Sequence, residues 1–141
     1  MSSRQLDLVK GQAVQKQQAL SERFKQVSSI AQKEREQLLQ LQAYESDYLA
    51  KIKQEQHQWT AENTHRYRHF CHRLAQVISD QRCKVEAAEK QLSTLRVQLS
   101  EQRQRINALD DMIDRDERAF IYQQNKKEQK QSDELSGRLY Y

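Results

Sequence analysis

From Tyr67 onward the chain steps alternately by four and three residues through Tyr67, Cys71, Leu74, Ile78, Gln81, Val85, Ala88, Leu92, Leu95, Leu99, Gln102, Ile106, Leu109, Ile113, Asp116 and Phe120. Thirteen of those sixteen positions are apolar. A repeat of 3.5 residues sustained over this length predicts one long coiled-coil helix and excludes disorder, which shows no apolar period. The first half gives Leu6, Val9, Ala13, Lys16, Leu20, Phe24, Val27, Ala31, Glu34, Leu38, Leu41, Glu45, Tyr48 and Ile52. Lys16, Leu20 and Phe24 follow in two successive steps of four, which predicts a stutter that the helix runs through.

The repeat lapses for more than a turn only at His57-Gln-Trp-Thr-Ala-Glu-Asn-Thr64. Asn63 and Thr64 are candidate caps for the second helix. The pattern therefore predicts an all-α fold, a long antiparallel two-helix coiled-coil hairpin, as one domain over 1–141. Helix 1 is expected over about 3–57, the turn over about 58–64 and helix 2 over about 65–136. A reversal near residue 61 sets Tyr48 opposite Leu74 and Leu6 opposite Asp116. Paired arms of ~50 residues are roughly 75 Å long, and helix 2 overhangs helix 1 at its C-terminal end by about twenty residues.

Composition agrees. With two glycines, Gly11 and Gly137, and no proline in 141 residues, the chain has few of the residues that reverse direction in compact α/β or all-β domains. Gly137 is expected to end helix 2, and Arg138-Leu-Tyr-Tyr141 to fray. The formal net charge is +4, and the excess lies over residues 51–84, where seven basic residues meet three acidic ones. That is too sparse for a nucleic-acid stripe, and no recognised nucleic-acid-binding motif accompanies it. No run approaches the ~18 apolar residues of a membrane span, and the N-terminus lacks a signal peptide's apolar core, so a cytoplasmic location without direct membrane insertion is expected. Cys71 and Cys83 lie twelve residues apart, about 18 Å along one helix, and are expected to be free thiols.

Near the turn the apolar arc is wider than a seam. On a helical wheel Gln37 and Tyr44 lie to one side of Leu41, Tyr48 and Ile52; Phe70, Val77 and Gln81 lie to the same side of Leu74. Such a cluster marks a docking surface, the alternatives being a thick seam or a dimer contact. His65, His69 and His72 share a face at spacings that can present imidazoles to zinc or nickel, but no fourth ligand accompanies them, and a solvated basic face is the favoured reading. Trp59 is read as a tip residue folding back on the helices. No phosphate loop, nucleophile elbow or paired carboxylates occur, so neither an enzyme nor a cofactor is expected.

Three segments carry a family resemblance. Leu41-Gln-Ala-Tyr44-Glu-Ser-Asp-Tyr48, Tyr67-Arg-His-Phe70-Cys-His-Arg-Leu74-Ala-Gln-Val-Ile78-Ser-Asp-Gln81 and Glu128-Gln-Lys-Gln-Ser-Asp133-Glu134-Leu-Ser-Gly-Arg138 resemble, in order and spacing, motifs of the flagellar export protein FliJ family. The resemblance implies a component of the flagellar type III export apparatus, peripheral to the inner membrane. It implies a stalk-like coupler between the export ATPase hexamer and the export gate FlhA that also handles export chaperones. Carried over residue by residue, it implies a gate-binding surface of Gln37, Leu41, Tyr44, Tyr48, Phe70 and Leu74, with Val77 and Gln81 in its remaining positions. Lys126, Lys127 and Lys130 are candidates for contact with the ATPase ring, the alternative being a solvated charge run. The equivalent stalk of a virulence type III secretion system and a generic coiled-coil scaffold are the competing readings.

Overall fold

A computed structural model describes residues 3–140, with side chains through Leu139. It is an antiparallel helical hairpin: α1 (Ser3–Glu55), a 3₁₀ turn at Gln56–Gln58, and α2 (Ala61–Tyr140). Packing divides the chain into two compact units, residues 1–20 with 98–141 and residues 21–97, where the sequence predicts one domain.

In the second of these units, Val27, Ala31, Leu74, Ile78, Val85, Ala88, Leu92 and Leu95 are buried. In the first, Leu6, Ala13 and Leu109 form a core cluster against which Val9, Ile106 and Ile113 pack. Every position of the α2 repeat is buried or half-buried except Phe120. In α1 the stutter is absent from the burial pattern. Lys16 is exposed while Lys10 and Gln17 are half-buried, so Leu6, Lys10, Ala13, Gln17, Leu20, Phe24 and Val27 continue an unbroken alternation of four and three. Long aliphatic stems let lysine and glutamine cover apolar surface in this way.

The register differs from the expected one by one heptad. Gln81 meets Glu34 and Gln102 meets Ala13, and Leu6 shares a cluster with Leu109, so facing residue numbers add to 115 in each unit. Tyr48 consequently lies against Tyr67 and Phe70, rather than Leu74, and Leu6 packs with Leu109 rather than Asp116. The cause is the turn, which falls at 56–60 instead of 58–64. The Trp59 N–H donates to the Gln56 carbonyl at 3.4 Å, closing the turn. Trp59 then takes an extended backbone, φ −91° and ψ 142°. The cap is Thr60, whose Oγ1 accepts the Asn63 N–H at 3.2 Å and so satisfies one of the free donors of the first turn. Asn63 and Thr64 are inside the helix.

At the other end, α2 continues through Gly137 to Tyr140. A Cβ at Gly137 would meet nothing within 4 Å, and no described glycine has positive φ, so this glycine neither stops nor bends the helix. The expected fraying is thus not seen through Tyr140, and Tyr141 lies outside the described residues. All positions from Glu117 through Leu139 are exposed, which is the overhang of α2.

Candidate functional site

Assigning heptad letters to the 21–97 unit, the seam positions a and d run through Phe24, Val27, Ala31 and Glu34 on α1 and through Leu74, Ile78, Gln81 and Val85 on α2. Positions e and g flank the seam on its two sides, where coiled coils ordinarily carry charged residues. The e side follows that rule: Arg35 pairs with Glu89 at 3.5 Å, and the Arg96 guanidinium stands 5.7 Å from the centre of the Phe24 ring. The g side does not. Tyr44 and Phe70 meet edge to face with centroids 6.4 Å apart, and both keep much of their surface in solvent, at 52% and 38%. Val77, one heptad after Phe70, is 49% exposed.

The apolar shoulder expected from the wheel is therefore a real surface of this unit, though its membership is narrower than the expected eight residues. Tyr44, Phe70, Val77 and Gln37 are exposed; Leu41 and Tyr48 are half-buried beneath them. Leu74 and Gln81 are buried in the seam. Gln81, 3% exposed, spends its amide on the Glu34 carbonyl at 2.9 Å and on the Glu34 carboxylate, so it holds the two helices in register and offers nothing to a partner. Ile30, one heptad before Gln37 and 50% exposed, joins the same side and was not among the expected residues. The seven-residue spacing of Ile30, Gln37 and Tyr44 is the signal that identifies it.

Toward the turn the aromatic contacts form a continuous series. Tyr44 stacks on Tyr48 at 6.3 Å, Tyr48 contacts Phe70 at 4.6 Å and Tyr67 at 5.6 Å, and Tyr67 stacks flat on Trp59 at 3.8 Å and 5°. Offset and edge-on pairs of this kind add to simple area burial. Trp59 and Tyr67 both line three neighbouring open grooves around the turn. Burial beside Tyr67 raises the Tyr48 phenol above its ordinary pKa, and burial followed by the nearby Glu45 does the same to the Cys71 thiol. Both groups are neutral at physiological pH, and nothing here resembles an activated nucleophile.

The remaining candidates fall elsewhere. His65, His69 and His72 are exposed, and no group of three or more metal-binding side chains occurs among the described residues. Cys71 and Cys83 are free. Lys126, Lys127 and Lys130 project from the overhang of α2 in the other unit, where Phe120, Ile121 and Tyr122 are also exposed. A groove in that unit is lined by Ser3, Asp116, Glu117, Phe120 and Ile121. No described helix is long and apolar enough to cross a membrane.

An all-helical hairpin with one bare apolar flank is the architecture of an interaction protein. The profile of the family described as Flagellar FliJ protein matches residues 1–141, and the chain belongs to that family. This membership supports a role connected with flagellar protein export. Comparison with curated proteins and with solved structures gives no match.

Proposed function

We propose that the chain is a stalk-like coupler of the flagellar type III export apparatus, with its gate-docking surface on the g side of the 21–97 unit and its ATPase-contacting end in the other unit. The observation that carries this reading is the exposed set Tyr44, Phe70 and Val77, held in one plane on a chain of an export family. In this reading Gln37, Tyr44, Phe70 and Val77 touch the export gate FlhA, while Leu41, Tyr48, Leu74 and Gln81 hold them in position. The α2 overhang, with Lys126, Lys127 and Lys130, contacts the export ATPase hexamer. Empty export chaperones are handled by the same protein. It acts in the cytoplasm, at the inner membrane through these partners, and catalyses nothing. The match to a flagellar family favours this machine over a virulence secretion system or a generic scaffold.

The test is the double variant Tyr44→Ala with Phe70→Ala. Both side chains are largely solvent-exposed, so helical circular dichroism and ATPase binding should persist while gate binding and motility are lost. Normal gate binding by a folded double variant refutes the assignment.

A further inference from the structure

We propose that the occupant of the g side is a single amphipathic helix of the partner, apolar along one face and acidic along its flanks, laid against both α1 and α2 as a third strand. This deepens the gate-docking reading above and rests on it. The two helices contribute to the surface at matched levels, Tyr44 with Phe70, Gln37 with Val77 and Ile30 with Lys84, whose numbers add to one less than those of the seam. Successive levels are seven residues apart, about 10.5 Å along a helix.

That spacing selects the kind of ligand. A third helix with its own heptad repeat meets a new pair at every heptad. An extended strand places same-face side chains about 6.8 Å apart and falls out of step after one level. Three levels span about 21 Å, which a helix of about fifteen residues covers. Exposure of Ile30 at 50%, as great as that of Tyr44, extends the surface a full level beyond the aromatic cluster.

Charge decides the flanks. No g position of this unit carries an acid, and Arg23, Lys51 and Lys84 stand toward the ends of the stripe, all exposed. The next column outward adds Lys33 and Arg73 against Asp47 and Asp80. A second copy of this chain, docking through the same stripe, would set these cations against one another, whereas an acidic helix complements them. The e side, with its Arg35–Glu89 pair, has no such vacancy.

The experiment uses the full chain with a photo-crosslinking amino acid placed singly at Ile30, Gln37 and Tyr44, mixed with the purified cytoplasmic domain of the gate. The expected result is attachment to one gate segment, moving by about seven residues for each step along the stripe. Attachment at gate residues without that spacing overturns the helical occupant and leaves the gate reading standing. Links only between copies of this chain, or no gate link even from Tyr44, overturn the gate reading itself. In parallel, Ile30→Ser should weaken gate affinity about tenfold. Lys84→Glu should weaken it most at low salt, and Val97→Ser, exposed but off the stripe, should leave it unchanged. If Ile30→Ser binds normally while Tyr44→Ala with Phe70→Ala does not, the stripe ends at the aromatic cluster and the third-helix inference falls.

Discussion

Gln102 offers a quantitative test of how the hairpin is held. It is buried at a d position, and its amide donates to the Ala13 carbonyl at 2.9 Å. That carbonyl already accepts a bond within α1, so deleting the glutamine leaves no orphaned acceptor. Gln102→Leu therefore forfeits about 1 kcal/mol of hydrogen bonding. It gains roughly 2 kcal/mol from a buried aliphatic side chain of similar length. The expected balance is a variant about 1 kcal/mol more stable, with a melting temperature about 2–4 °C higher for a chain of this size. Gln102→Ala loses the bond and opens space against the small Ala13, and should cost about 2 kcal/mol. Urea unfolding followed at 222 nm reads both values. A leucine variant more than 1 kcal/mol less stable than the parent would show that the amide–carbonyl bond contributes far more than argued, and the account of the seam would have to be abandoned.

Three other expectations are open to direct measurement. Thr60→Ala should destabilise the hairpin by about 1 kcal/mol through loss of the cap, whereas Asn63→Ala, which keeps the backbone donor, should be close to neutral; equal costs at both sites in denaturant titrations would argue against Thr60 as the cap. Gly11→Ala should stabilise by about 0.5–1 kcal/mol and Gly137→Ala should slow amide exchange in the last turns of α2, because both glycines sit in helix with room for a Cβ; faster exchange at 137 would mean that the helix ends there. The raised pKa of Cys71 lowers its thiolate fraction at any given pH, so iodoacetamide at pH 8 should label exposed Cys83 well before half-buried Cys71, with urea abolishing the difference. Peptide mass spectrometry that found Cys71 labelled first would contradict the burial described.

The seam and the antiparallel hairpin were legible in the sequence because a 3.5-residue period is a direct image of helix geometry. Register was not, for a related reason. A periodic seam matches itself again after seven residues, so pairing Tyr48 with Leu74 or with Tyr67 satisfies the same apolar pattern. Only the cap distinguishes the two, and Thr60 competes there with Asn63 and Thr64 as a residue of equal capping ability. The Lys16 stutter failed because hydropathy treats Lys10 and Gln17 as polar, although their stems can lie along the seam. Gly137 misled because a glycine near a helix end signals a stop only when the backbone turns left-handed there, and no described glycine does. The candidate surface was half legible: the wheel located Tyr44, Phe70 and Val77. It also included Gln81, because a glutamine looks equally at home on a flank and in a seam where a facing carbonyl accepts its amide.

The turn between α1 and α2 contains no glycine, and no described residue has positive φ, so each of its positions accepts any ordinary L-residue in its present backbone conformation. Its composition is therefore free while its length is quantised. Adding or removing one residue would rotate all of α2 by about 100° and carry its apolar face out of the seam. An insertion of seven would return the face to its place and slide one helix past the other by about 10 Å. The loop thus works as the indexing pin of the hairpin: drift in sequence leaves it unharmed, and changes in length are admitted only in whole heptads.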